Sequence, residues 1–343
     1  MSIGTASTGT NGTAAIRTAE DILRLGNAFC QAQALLTAAE LDLFSLLKDG
    51  PATEAEIRER AGLDGRGLPD LLRLLAALGL LVQAGGRFAN TPAAQQYLVA
   101  GEPGYVGGFL RGAKTNLYPV FDGLAETLRT GKPRSAGDDF GAMLADPDAL
   151  RRYARMMDGV LQPLLPSLLA GFDWSAYGTV LDVGGCAGAL IGSIVRANPG
   201  VTGLLFDLPQ LEPVFDERMA ELGTTGRVVF RGGDFFADPL PAADVVVFGH
   251  VLHNWRPAQR ELLVRKAFEA LSPGGVLVVH DRMLDEQPQP DQLVASLIMV
   301  LVTEDGSEYP VGELAGYARA AGFASVASSP LDENETLVLC HKA

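Results

Sequence analysis

Two rhythms of apolar positions divide the chain. From Thr18 to about Val99 the spacing is helical. Ile22, Leu25, Phe29, Ala32 and Leu36 recur at helix spacing, and Leu71, Leu74, Leu75 and Leu78 do the same further on. Between them, Thr53 followed by Glu56 forms a capping box that opens the helix TEAEIRERAG, ending at Gly62. The segment LGLLVQAGGRFANTP then predicts a strand, a Gly-Gly turn, a second strand and an Asn-Thr-Pro stop. Helices followed by one small hairpin predict a winged-helix module over residues 18–100. Residues 101–177 read as a helical linker punctuated by Gly and Pro. Within it TGKPRSAGDDFG is a loop and DPDALRRYARMMDGVLQPLLPSLLAGFDW a helix pair.

From Thr179 the rhythm changes. TVLDV, TGLLFD, RVVF, DVVVFG and GVLVVHD are short, nearly continuous apolar runs rich in β-branched residues, each separated by a helix-sized segment. That pattern predicts a parallel sheet buried on both faces, hence an α/β domain over residues 178–343. The closing AGFASVASSPLDENETLVLCHK predicts two further strands forming a hairpin on that sheet. Residues 1–17, rich in Gly, Ser, Thr and Ala, predict a disordered tail.

Composition narrows the partners. The 343 residues carry 27 Lys and Arg against 41 Asp and Glu, a net charge of −14. Such a surface repels phosphate backbones and anionic headgroups, so neither nucleic acid nor membrane is expected as a partner. The longest apolar stretch, Leu71 to Val82, is broken by Arg73 and falls short of the ~20 residues of a membrane span. No apolar run near the start resembles a secretory signal, and Cys30, Cys186 and Cys340 make no CxxC. A reduced, cytoplasmic location is expected.

Candidate chemistry gathers at the strand ends. LDVGGCAGAL places Gly184, Gly185 and Gly188 on a strand-to-helix turn, where backbone N–H groups approach a ligand closely. Asp207 ends the second strand, positioned to accept from both hydroxyls of an adenosine ribose. Asp234 and Phe235 follow the third strand, an acid and an aromatic to hold and stack on adenine. Gly249, ending DVVVFG, completes the set. The spacing Gly184-x-Cys186-x-Gly188 is not the GxGxxG of dinucleotide sites and favours S-adenosylmethionine.

The DVGGCAG turn, FDLP around Asp207, GGDFF around Asp234, HNW at 253–255 and LSPGG at 271–275 occur together. In this the chain resembles the caffeic-acid/hydroxyindole (acetylserotonin) O-methyltransferase family, over roughly residues 20–343. The resemblance implies a Rossmann-like class I methyltransferase domain with a seven-stranded, mostly parallel sheet, preceded by a winged-helix dimerisation domain. It implies S-adenosylmethionine as cofactor, a hydroxylated aromatic small molecule as substrate, and a homodimer interlocked through the first helices. Where the family's turn usually reads GGGTG, Cys186 and Ala187 replace the third Gly and the Thr. Cysteine is small enough that cofactor binding is expected to survive.

By the same resemblance His253 is the general base, and the acids that orient it fall on Asp281 and on Glu308 in GSEYP. A phenol ionises near pH 10, so a positioned imidazole is a physically apt base at neutral pH. The family's Asp after the histidine is here Asn254, an uncharged substrate contact. Met156 and Met157 lie on a helix that lines the family's substrate cavity; adjacent residues cannot face the same way, so core packing explains at least one, and Met157 is the expected substrate contact. His250 and His280 read as polar residues satisfied within the fold. A metal set of His250, His253, Asp281 and Glu308 lacks any second motif, and no metal is expected. Two other functions remain distinct. One is a DNA-binding winged helix, which the acidic balance disfavours. The other is a cofactor-binding homologue that catalyses a rearrangement or decarboxylation.

Overall fold

The computed structural model describes residues 16–102, 104–134 and 140–343. All but the last two residues of the expected tail lie outside these, as does the middle of TGKPRSAGDDFG. The chain separates into two compact units, residues 1–118 and 119–343.

In the first unit the leading apolar stripe spans two helices, Ala19–Gly26 and Ala28–Glu40, because the helix is interrupted at Asn27. The Thr53 and Glu56 capping box forms with both reciprocal bonds, and Gly62 ends that helix in the left-handed conformation. Strand β1 (Ala52–Thr53) pairs with β3 (Arg87–Asn90), which pairs with β2 (Leu81–Ala84), all antiparallel. Gly85 and Gly86 both have positive φ, as a two-residue hairpin turn requires. The helix Leu68–Ala77 departs from expectation in its phase. Its buried face is Leu68, Leu72 and Leu75, while Leu78 lies beyond its end and exposed. LLRLLAALGLL is apolar on nearly every side, so periodicity alone does not determine which face turns inward.

The second unit is built on one seven-stranded sheet. In chain order its strands are β4 (Thr179–Val183), β5 (Thr202–Asp207), β6 (Val228–Gly232), β7 (Ala243–Gly249), β8 (Leu271–Asp281), β9 (Ser325–Pro330) and β10 (Thr336–His341). Their spatial order is β6-β5-β4-β7-β8-β10-β9, parallel except for β10, which runs antiparallel to both neighbours. Alternate residues face opposite layers. Val180, Val245 and Val278 pack with Ile191 and Ile194 of the helix Ala189–Ala197. Leu181, Val246 and Leu277 pack with Leu263 and Val264 of the helix Pro257–Ala270. Burial on both faces is why these strands read as continuous apolar runs. The direction of the strand order reverses between β4 and β7, so a crevice opens beyond their carboxyl ends.

Gly203 in β5 shows how tightly the first layer packs. A Cβ there would lie 2.7 Å from Ile191 Cγ1 and 3.0 Å from Val228 Cγ2. Gly203→Ala is therefore expected to destabilise the second unit by about 1–3 kcal/mol, read as a lowered melting temperature in calorimetry. An unchanged melting temperature would show that the helix is free to move off the sheet.

Candidate active site

The turn after β4 brings the first cluster together. Gly184 and Gly188 have positive φ, and so does Cys186, at 55°. A Cβ on Gly185 would lie 2.3 Å from Asp182 Oδ2, and one on Gly184 would lie 2.8 Å from Val251 Cγ2. The turn thus needs its small residues. Asp207, buried at the end of β5, accepts from the N–H of Cys186 at 2.9 Å and of Leu208 at 2.7 Å. Burial pushes its carboxyl up to about 6 despite these two donors. Asp182, also buried, is pushed up to about 7 by burial and by the charge of Asp207, and its Oδ2 lacks a partner. Two buried carboxylates beside a glycine turn form an acceptor-rich cradle. It suits the diol and ammonium groups of a nucleoside cofactor, so the residues present fit S-adenosylmethionine.

The other expected cofactor residues vary in placement. The Phe235 ring lies against the glycine turn and meets Phe236 edge-on at 4.9 Å. Asp234 is exposed, and its Oδ1 accepts from the N–H of Phe236. Gly249 has a structural reason to be glycine, since a Cβ would lie 2.1 Å from His280 Nε2. Sequence reasoning missed Tyr153, on the helix Pro147–Leu161. Its phenol is pushed well up by burial and by the charges of Cys186 and Asp207. On the same helix Met157 is half-buried, whereas Met156 is exposed.

The second cluster lies beyond β7 and β8. His253, buried on the turn Leu252–Asn254, has its Nδ1 3.0 Å from Glu308 Oε1. Asp281 is more distant, with Oδ1 3.9 Å from Nδ1, and its Oδ2 accepts from the Tyr309 hydroxyl at 2.5 Å. Glu308 is therefore the direct partner, and Asp281 a nearby charge held by tyrosine. Burial lowers the His253 pKa, but Asp281, Glu308 and Glu335 outweigh it and hold the imidazole above its ordinary value. Asp281 itself is pushed up to about 6 by burial. Asn254 turns its amide back, donating from Nδ2 to the His250 carbonyl at 2.9 Å.

His250 meets the expectation of a satisfied side chain, with Nε2 3.0 Å from Glu335 Oε2. His280 does not. It is 2% exposed, and neither ring nitrogen finds a partner among the described residues. Burial and the neighbouring His250 push it down to about 3.

Arg260 is a further residue that sequence reasoning missed. It is 1% exposed, and its guanidinium lies 4.4 Å from the Tyr309 ring centroid. It donates from Nε to Leu252 O, from Nη2 to Ser307 O and Oγ, and from Nη1 to Glu313 Oε1. One side chain thereby ties the residue before His253 to the residue before Glu308. The signal was present: Arg260, Leu263, Val264 and Ala267 share one buried helix face, and only one of them is charged.

Comparison with known proteins is consistent along the chain. An O-methyltransferase domain model matches residues 121–324, and an O-methyltransferase dimerisation domain model matches residues 23–100. The tetracenomycin polyketide synthesis 8-O-methyl transferase of Streptomyces glaucescens is 43% identical, over 95% of this chain and 98% of that protein. The N,N-dimethyltransferase OxyT of Streptomyces rimosus is 38% identical, over 90% of this chain and 92% of that one. The solved structure of human N-acetylserotonin methyltransferase in complex with SAM superposes with a TM-score of 0.82 at 25% identity, covering 97% of this chain and 99% of that one. Among the described residues, no helix is long and apolar enough to cross a membrane.

Arg260→Met keeps the length of the side chain but strands Glu313 and two buried carbonyls. It is expected to cost about 2–4 kcal/mol, below the full penalty of a broken buried pair because Glu313 retains 29% side-chain exposure. Calorimetry should show a melting temperature lower by roughly 4–16 °C, and a shift within a degree or so would mean that the clamp is dispensable.

Proposed function

Because this chain belongs to the O-methyltransferase family, we propose that it methylates a hydroxyl of an aromatic, polyketide-type small molecule with His253 as general base. The carrying observation is the 3.0 Å bond between His253 Nδ1 and Glu308 Oε1. A carboxylate on Nδ1 fixes the tautomer in which Nε2 is unprotonated and free to accept. S-adenosylmethionine, the cofactor of this enzyme family, supplies an electrophilic methyl group when bound.

The chain's own residues do the rest. Gly184 and Gly185 admit the cofactor to the turn, Asp207 accepts from its ribose hydroxyls, and Asp234 and Phe235 hold the adenine. Gly249 keeps the end of β7 open beside them. Met157 and Asn254 border the acceptor. As the substrate oxygen attacks, its proton passes to His253 Nε2, and the charge that appears on the ring is stabilised by Glu308 and, from farther away, by Asp281. Transfer to an amine nitrogen is the second reading, favoured by the similarity to an N,N-dimethyltransferase. The same base would serve it. Product mass separates both from a rearrangement or decarboxylation, since only methyl transfer adds a methyl group and leaves demethylated cofactor.

His253→Ala should bind S-adenosylmethionine as the parent does in calorimetry, because the imidazole faces the acceptor. On a phenolic substrate its kcat should fall by roughly 10²-fold or more. Part of that loss should return as pH rises toward the phenol's own pKa near 10, where solvent supplies the phenolate. Glu308→Gln should cost less, as it removes only the orienting charge. Near-parental turnover of His253→Ala at neutral pH would sink the assignment.

The same reading includes a homodimer. Ile22, Leu23, Leu25 and Phe29 are each more than half exposed on the first two helices, within or beside the matched dimerisation domain. Four large apolar side chains on adjoining turns form a face that water covers poorly. Sedimentation equilibrium should give twice the 36.1 kDa of one chain, and Leu25→Glu with Phe29→Glu should shift it toward the monomer. A monomeric parent at micromolar concentration would refute the dimer.

A further inference from the structure

Three neighbouring strands each deliver one metal-binding group to the same place. His250 directly follows β7, His280 is the next-to-last residue of β8, and Glu335 directly precedes β10. The sheet places β8 between β7 and β10, with Gly249 and Leu337 both in register with His280. One ligand atom from each of His250, His280 and Glu335 lies within 4.8 Å of the other two. This is not the set suggested by the His250-x-x-His253 spacing, which would have used Asp281 and Glu308.

Two independent observations indicate that the cluster holds something. His280 is buried with both ring nitrogens unpartnered, beside a glycine that leaves its ring just enough room. Such an orphan is rare unless a ligand or ordered water completes it. Glu335, in turn, is held from outside the cluster by Arg282, which donates to its Oε1 at 3.1 Å, while its Oε2 faces His250 Nε2 at 3.0 Å. An outer partner fixing a ligating carboxylate is the usual second layer of a metal site. His250 also holds a left-handed backbone conformation, φ 53°, which a non-glycine residue adopts only when its surroundings enforce it.

We propose that His250, His280 and Glu335 bind one divalent transition metal ion, zinc by donor preference, as a clamp across the ends of β7, β8 and β10. Two imidazoles and one carboxylate suit zinc and cobalt, whereas calcium and magnesium require more oxygen ligands. In tetrahedral zinc sites with bonds of about 2.0–2.1 Å the ligand atoms lie about 3.3 Å apart. The His250–Glu335 pair, at 3.0 Å, already sits near that edge length, and the His280 nitrogen, within 4.8 Å of both, would have to move closer on binding. The ion would be structural. It would also steady the His253 turn, because the His250 carbonyl accepts from the Asn254 amide.

The test uses the full chain, stripped with a chelator and titrated with cobalt(II), whose ligand-field absorption reports a tetrahedral site. One equivalent should saturate the band at micromolar concentration, zinc should displace it, and zinc should raise the melting temperature of the stripped protein. Glu335→Gln should weaken cobalt binding at least tenfold, while Glu308→Gln should leave it unchanged. His280→Asn serves as the second variant, and circular dichroism verifies that each variant is folded. Absence of the band in the stripped parent would overturn the proposal, leaving an ordered water as the filler. A band of equal affinity in folded Glu335→Gln would overturn it too, because the ion would then sit elsewhere.

Discussion

The site depends on a buried arginine. Arg260 sits one turn into the helix that follows the His253 turn, and its guanidinium makes four hydrogen bonds, backward to Leu252 and across to Ser307 and Glu313. Without it, the turn carrying His253 and the loop carrying Glu308 would be joined by the bond from Ser307 N to His253 O and by the His253–Glu308 side-chain bond itself. A guanidinium removed from water is costly unless all its donors are used in good geometry. Here Nε, Nη1 and Nη2 all find acceptors, and the flat face stacks on Tyr309, whose hydroxyl in turn holds Asp281. One residue therefore sets the separation of the histidine from both acids.

The acids show what such a site costs the fold. Asp182 and Asp207 are buried without any cation among their partners, and their carboxyls are pushed up to about 7 and about 6. The sign follows from proton counting. A carboxyl with a higher pKa folded than unfolded holds its proton longer in the native state. These groups therefore favour folding at low pH and oppose it as pH rises through about 6 to 7. At neutral pH the cradle is a destabilising element that the rest of the sheet must offset. That is the expected signature of carboxylates placed for a ligand.

What the sequence made legible, and what it hid, has a physical pattern. The strands were readable because burial on both faces leaves continuous Val- and Leu-rich runs, and the Thr53 cap because its partner lies three residues away. Local chemistry writes itself locally. The phase of Leu68–Ala77 was hidden because an all-apolar run has no polar face to orient it. The interruption at Asn27 was hidden for the opposite reason: apolar spacing carries across a break of a single residue. Asp207 was legible as the acid ending the second strand, His253 and Glu308 only by resemblance, and the surroundings of all three were not. Pairs such as His250 with Glu335 or Arg151 with Glu217 join residues far apart in sequence, and no periodicity marks them.

Glycine and histidine at the strand ends illustrate the same limit from the side of function. Gly249 stands where a cofactor residue is expected, yet its missing side chain also makes room for His280, so the position answers to two demands. His280 in turn stands next to Asp281, which shares the His253 environment, and across the ring from His250. A change at any one of these positions is transmitted by steric contact or by charge to the His253 imidazole. The surroundings of His253 are therefore the meeting point of two side-chain networks, one anchored by Arg260 through Tyr309 and Ser307, the other by Arg282 through Glu335 and His250. Arg282 holds Glu335 in its charged form, and Glu335 is one of the three acids that keep His253 above its ordinary pKa. The protonation of His253 thus answers to charges beyond its direct partner Glu308, because Asp281 and Glu335 also hold its imidazole above the ordinary value.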